Sequence, residues 1–400
     1  MTSLPGHDLR DCTVPAADPR LAALRAAEES HPFWQNELFQ ACRAGVLTRA
    51  DFQFLFGQYH LYSRNFTRYL SGLMANLEDD LLRSRLSENL WEEGGGAEPS
   101  RRHAQIFRNF LTEGLGVDVE AIQFLPATRH FVDRFLRECT HGSALHASAF
   151  LSLGTEAIVA RMYAVMVEGL RKAGVADEHL EFFHIHMACD DAHAATLSDI
   201  LSSFRSQPGW AEQARSAMVL ALDLRHEFFN QLVSELRHRR IAGQLQRIQD
   251  KRSLLGADVA TELLSFRPDE PAAEAVYHNR VDAMNIDFTV ERAPFPAEVV
   301  DARVVRIPPG RCNERHKHAH ETVFYFVSGT GRVMVDDRWV PVSPGDCVFV
   351  PRWAVHQSQN TGSEPMVILA VTDFHLTGKA FLGDYDSTAR MKRGDSASRG

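Results

Sequence analysis

EFFHIHMACDDAHAATL, residues 181–197, has the apolar spacing of a helix yet carries three histidines and two aspartates. His186, Asp190 and His193 fall at i, i+4 and i+7, so one helix face holds all three. Phe182, Phe183, Leu197 and Ile200 continue that face, which predicts that the three polar groups point inward. His184 and Asp191 lie off it. Titratable groups buried without partners cost kilocalories each. A metal ion would satisfy all three together. A hydrogen-bonded His/Asp network, or a helix turned to solvent, would also account for them.

Other helical segments repeat the pattern. Glu93 continues the stripe of Leu82, Leu86 and Leu90, while Glu92 is turned away. His103 shares a stripe with Ile106, Phe107, Phe110 and Leu111. Glu156 shares one with Leu153, Ala160, Tyr163 and Val167. Three carboxylates and three imidazoles facing into one bundle suit a dinuclear iron or manganese centre. The E-x2-H signature of ferritin-like bundles is absent.

On these residues the chain resembles the heme-oxygenase-like di-iron oxidases and oxygenases. That family's H-x3-D-x2-H helix is matched by His186, Asp190 and His193. Its Glu and His from paired earlier helices are matched by Glu93 and His103, and its central-helix Glu by Glu156. HPFWQNELFQACRAGVLTRADFQFLFGQYHLYSRNF, residues 31–66, is similar to the same superfamily. The likeness covers about residues 20–240. It implies an all-α bundle holding two Fe(II) ions, with O2 as co-substrate. The first core helix, read over 51–77, offers Gln58, His60 and Asn65 but no inward Glu. Arg64, Arg68, Arg161 and Tyr163 are candidates for a substrate carboxylate, or else surface ion pairs and core filler.

Beyond about residue 286 the grammar changes to short alternating β-branched runs with Gly/Pro punctuation, which predicts a small antiparallel barrel or jelly roll. In GRCNERHKH, residues 310–318, His316 and His318 alternate onto one strand face. GDCVFVPRWAVHQSQN, residues 345–360, brings His356. These stretches resemble the two cupin motifs, with Trp353 where the second has Gly. The first motif's metal-binding Glu aligns with Thr322, and Glu321 is expected on the opposite face. Three histidines, His316, His318 and His356, then form the centre, with His320 on the same face. Imidazoles in that number suit Fe(II), Zn, Ni or Cu and leave positions open for a ligand. A degenerate barrel with a structural metal or none is the plainer alternative.

The expected plan is therefore multidomain: a flexible N-terminus (1–18), an all-α heme-oxygenase-like bundle (19–250), a connector (251–282), an all-β cupin (283–378) and a disordered tail (379–400). The chain has 400 residues, 44% hydrophobic and 24% charged, enough for two domains. A net charge of -9 without Lys/Arg runs argues against nucleic acid. No apolar stretch is long enough to cross a bilayer, and the N-terminus has no apolar signal core. Six scattered cysteines suggest free thiols, and a cytoplasmic location is expected.

Two metal domains on one chain resemble the streptozotocin-type N-nitrosourea synthases, which share the missing cupin Glu. The resemblance implies O2-dependent oxidation of an amine or guanidine nitrogen of a small amino-acid-like substrate. It also implies a cupin iron that converts the N-hydroxylated intermediate, to an N-nitroso or N–N bonded product. The chain has no flavin or nicotinamide motif, so electrons come from an external donor; a homodimer is expected. The alternative is a di-iron oxidase that cleaves or desaturates carbon bonds, with the cupin as a sensing or dimer module. A non-redox binding protein using both pockets is a third reading.

Overall fold

The computed structural model describes residues 18–188, 192–249, 260–272, 274–382 and 389–392. These fall into two compact units, one from the described parts of Met1–Phe39 and Thr48–Asn230, the other from Gln40–Leu47 and the described parts of Gln231–Gly400.

The first unit is helical. Along the chain run α1 (Pro19–Glu29), α2 (Glu37–Ala44, of which the part from Gln40 belongs to the second unit), α3 (Arg49–Ser63), α4 (Phe66–Asn76), α5 (Asp80–Glu93), α6 (His103–Asn109), α7 (Pro126–His141) and α8 (Ala144–Leu151). They are followed by α9 (Ala157–Lys172), α10 (Glu181–Ala188), α11 (Ala192–Ser203) and α12 (Trp210–Gln249), whose last part belongs to the second unit. The core is aromatic: Phe52, Phe107, Phe135, Phe150, Phe183, Phe229 and Trp210 are all fully buried. Each such ring contributes roughly 1.5–3 kcal/mol of burial.

The helix read over 51–77 is two helices. Asn65 turns its side-chain amide back to the Leu61 carbonyl, 2.6 Å away, where the chain breaks. A π-helical turn, Ser152–Glu156, interrupts the helical run Ala144–Lys172 between α8 and α9. A single π turn of this kind inserts a residue into the helical phase. The same segment corrects the expectation about bilayers. Ala144–Lys172, 29 residues, is long and apolar enough to cross one, but 61% of its most apolar window is buried within the protein.

The second unit is a two-sheet antiparallel β structure. One sheet has the order β1-β2-β3-β10-β5-β8 and the other β11-β4-β9-β6-β7. The strands are β1 (Tyr277–Val281), β2 (Ile286–Arg292), β3 (Asp301–Ile307), β4 (His316–His318), β5 (Thr322–Ser328) and β6 (Gly331–Val335). They continue with β7 (Arg338–Val342), β8 (Cys347–Val350), β9 (His356–Asn360), β10 (Met366–Thr372) and β11 (Arg390–Lys392), with a short α13 (Phe374–Thr377) before the last. Ile307, Phe326, Val333, Val350 and Met366 are the fully buried centre between the sheets.

Two strands lie outside the range expected for this domain. β1 falls in the stretch read as connector, where its polar sequence YHNRV hides it; it pairs with β2 through Tyr277↔Val290 to Val281↔Ile286. β11 falls in the stretch read as a disordered tail. It pairs with β4, and Arg390 is ion-paired to the buried Glu314 carboxylate, which gives three residues of tail a reason to be ordered.

Candidate metal centres

α5 starts on Asp79, whose carboxylate caps the amides of Leu81 and Leu82, and it ends on Glu93. Gly94, Gly95 and Gly96 then reverse the chain. Gly95 has φ +86, and a Cβ there would lie 2.5 Å from the Glu98 carbonyl oxygen and 2.6 Å from the Arg102 amide. Only glycine fits so tight a turn. The turn delivers His103, first residue of α6, onto Glu93: Nδ1 to Oε2 is 2.9 Å. His186 on α10 meets His103 at 4.7 Å between ring centroids.

The donor atoms of Glu93, His103 and His186 all lie within 4.8 Å of one another. Glu156, placed by the π turn, lines the same cavity of about 30 Å³, together with Tyr59, Tyr62, Tyr163 and Phe182. The structure thus brings together Glu93, His103, Glu156 and His186. Asp190 lies outside the described residues, and so does the side chain of His193, whose backbone opens α11. His184 stands apart on the Asp177 side, 3.9 Å from that carboxylate.

The donor set fits iron. Nδ1 of His186 lies 2.6 Å from the Phe182 carbonyl oxygen. A carbonyl only accepts, so Nδ1 carries the proton and Nε2 presents its lone pair. Two carboxylates and two imidazoles around a water-sized space are borderline-to-hard donors of the kind Fe(II) takes.

Sequence reasoning missed what stands behind this cavity. Arg225 of α12 is 0% exposed. Its Nη2 donates to the Tyr62 hydroxyl at 2.9 Å and its Nη1 to the Tyr59 hydroxyl at 3.3 Å. Tyr59 and Tyr163 hydroxyls are 3.2 Å apart. Each phenol oxygen that accepts from Arg225 must send its own proton onward, so the network directs O–H donors toward the cavity. Burial pushes the Tyr62 and Tyr163 phenols well above their ordinary pKa, which keeps them protonated. Among the described residues no carboxylate pairs with Arg225. The signal was present: Arg225 shares a stripe with Met218, Ala221, Leu222, Phe228 and Phe229.

Other candidates fall elsewhere. Gln58 is buried and bonds the 123–128 segment instead of the cavity. Arg64 lies over Phe124, Arg68 bonds Asn65, and Arg161 lies 3.7 Å from the Trp34 ring centroid. Of the four residues considered for a carboxylate, Tyr163 lines the cavity.

In the β unit, β4 presents His316 and His318, and β9 presents His356 as the register partner of His316. Their donor atoms also lie within 4.8 Å of one another. Each Nδ1 faces a backbone carbonyl: Glu314 at 2.9 Å from His316, His320 at 3.1 Å from His318 and Ala354 at 3.0 Å from His356. All three rings are thereby fixed with Nε2 bare. Burial, reinforced by the neighbouring imidazoles, pushes His318 down to about 2 and His316 well below its usual value. Burial also pushes His356 down to about 4. Three imidazoles held neutral and convergent fit a metal ion as they stand.

Thr322 is 2% exposed, lines the cavity, and has no hydrogen-bond partner for its hydroxyl among the described residues. Glu321 faces away and lies 3.7 Å from Arg352. His320 stacks on His318 with ring centroids 4.3 Å apart and lines the same cavity, outside the three-imidazole cluster. Trp353 keeps the left-handed backbone, φ +61, at the motif position where Gly is usual.

Comparison with known proteins agrees with this division. The model of the iron-containing redox enzyme family matches residues 53–226, and that of the cupin domain matches 303–372. A 4-aminobenzoate synthase of Chlamydia pneumoniae is 26% identical over 181 residues, which cover 44% of this chain and 78% of that protein. A 4-chloro-allylglycine synthase of Streptantibioticus cattleyicolor is 24% identical over 198 residues, covering 48% and 75%. A glucose-6-phosphate isomerase of Thermococcus onnurineus is 34% identical over 64 residues, covering 14% of this chain and only 34% of the isomerase. The chain thus joins two catalogued kinds of domain, a heme-oxygenase-like iron-containing redox enzyme domain and a C-terminal cupin domain.

Proposed function

We propose that the chain is a non-haem, O2-dependent N-oxygenase. Its helical unit oxidises an amine or guanidine nitrogen of an amino-acid-like substrate, and its cupin unit converts the N-hydroxylated intermediate. The observation that carries this reading is the convergence of Glu93, His103, Glu156 and His186 on one cavity within an iron-containing redox domain. The names of the two partial relatives, an aminobenzoate synthase and a chloro-allylglycine synthase, support an amino-acid-like substrate class.

Two iron ions held by these residues, with Asp190 and His193 as the sequence's further candidate ligands, would supply activation of O2, with electrons from an external reductant. The chain's own groups do the rest. Glu93 and Glu156 offset the cationic charge, and the Phe182 carbonyl holds the His186 ring. Tyr163 and Tyr62 present hydroxyl protons at the cavity wall, their direction set by Arg225. The cavity, about 30 Å³, has room for a molecule of water size beside these groups. In the β unit, His316, His318 and His356 would hold one further iron beside the cavity that would take the intermediate.

The test is anaerobic loading with Fe(II), then O2 and a reductant, with mass spectrometry against arginine, lysine and their methylated forms. The reading expects a product that has gained oxygen on nitrogen. The pair His316→Ala with His318→Ala is expected to accumulate that hydroxylated species in place of the final product. Carbon–carbon or carbon–nitrogen cleavage, with an unchanged product in the histidine variant, would instead support an oxidase with a non-catalytic cupin.

A further inference from the structure

The cavity of the β unit, about 340 Å³, has the size of a small-ligand pocket. Its histidine cluster is one part of its lining. Arg292 and Arg303 are another, and neither has a role in the chemistry described above. They are register partners on β2 and β3, and the same cross-strand row continues through Ala370 and Phe324, which also line the cavity. Both guanidiniums converge on one carboxylate. Asp301, whose side chain is 2% exposed, is ion-paired to Arg292 with Nε 3.0 Å away, and accepts from Arg292 Nη2 at 3.1 Å and from Arg303 Nε at 2.6 Å. Two cations share one anion, so the group keeps one positive charge.

The remaining donors are specific. Arg303 bonds Asp301 through Nε, and its two terminal nitrogens have no protein hydrogen-bond partner among the described residues. The Phe374 ring, 5.3 Å from its central carbon, packs on that guanidinium and restricts its plane. A third arginine of the lining behaves differently. Arg390 is ion-paired with Glu314, which also accepts from Tyr277. Among the described residues, the Arg292–Asp301–Arg303 group is the part of the lining where two cations share one anion. Val290, Val305, Phe288, Phe324 and Ala370 give the lining an apolar stretch.

We propose that this cavity is a binding site for a small monocarboxylate. Its anionic end lies on the terminal nitrogens of Arg303 and on Arg292, and its aliphatic body against Val290, Val305 and Phe324. Its far end then shares the cavity with the three histidines. A planar guanidinium with two unused N–H groups matches a carboxylate's two oxygens, which a neutral amide matches on one side only. This goes beyond the N-oxygenation reading, because it concerns the charge of the ligand and holds for any reaction at the histidines.

The experiment uses the full chain, with and without Fe(II), and pentanoate against pentanamide as probes, followed by isothermal titration calorimetry. Pentanoate is expected to bind at least about tenfold more tightly than pentanamide. Arg303→Gln is expected to remove that preference while leaving pentanamide unchanged; Arg303→Lys, which keeps the charge, retains part of it. Arg292 still partners Asp301 in Arg303→Gln, and circular dichroism checks the fold. Should that variant misfold, Arg292→Gln carries the same expectation. Equal affinity for the two probes, no pentanoate binding, or pentanoate binding untouched by these variants overturns the assignment. So does pentanoate binding that needs Fe(II) and ignores Arg303, which would put the anion on the metal.

Discussion

Replacing Arg225 by Met separates what this buried cation does for stability from what it does at the site. The guanidinium makes two hydrogen bonds to phenols, each worth roughly 1.5–3 kcal/mol for a charged donor. It also lies 4.8 Å from the Tyr62 ring centroid, a desolvated cation–π contact worth about 2 kcal/mol. Against these stands the cost of holding a charge that is 0% exposed and, among the described residues, has no carboxylate partner, several kcal/mol. The opposing terms are of similar size. Methionine keeps most of the volume, so Arg225→Met is expected to change unfolding free energy by less than about 2 kcal/mol in urea titrations. Turnover should fall much further, about a hundredfold, because Tyr59 and Tyr62 lose the donor that orients their protons. A loss above about 4 kcal/mol would refute the cancellation, and unchanged turnover would refute the role of the phenol network.

Three other outcomes are expected. Trp353→Gly should stabilise the β unit by about 0.5–1 kcal/mol in thermal unfolding, because glycine adopts φ +61 without the left-handed penalty; destabilisation would mean that the Trp353 contact with Phe381 outweighs it. Gly154→Ala should cost about 1–3 kcal/mol, since a Cβ would sit 2.5 Å from the Ala221 Cβ in the π turn before Glu156; a neutral result would mean that the turn yields. For Asp301, burial alone would raise the pKa, but Arg303 and Arg292 outweigh it and hold the carboxyl below its ordinary range. Its contribution is therefore present above the unfolded carboxylate pKa, about 4, and is lost as pH falls through the lower folded value. Melting temperature of the β unit should drop in that acid window, less steeply in Asp301→Asn than in the parent.

Helical phase made Glu93, His103, Glu156 and His186 legible, because an ionisable group on an apolar stripe stands out. The same test would have found Arg225, but a long basic side chain on a helix is ordinarily taken for a snorkelling surface group. Alternation along β2 and β3 likewise put Arg292 and Arg303 in phase with the inward Val290 and Val305. The absence of an inward Glu on the first core helix was legible; that Tyr59 and Tyr62 face the cavity was not, since aromatic residues surround them in sequence. β1 and β11 escaped notice because edge strands with polar faces carry little hydrophobic alternation. The break after Arg64 depends on one side-chain hydrogen bond from Asn65, which no periodicity reports.

Metal counting after anaerobic Fe(II) loading tests the two-centre account most directly. The account predicts about three irons per chain, about one in Glu93→Ala with His186→Ala, and about two in His316→Ala with His318→Ala. Iron content unchanged by the helical pair of substitutions would contradict the claim that Glu93 and His186 hold a metal centre.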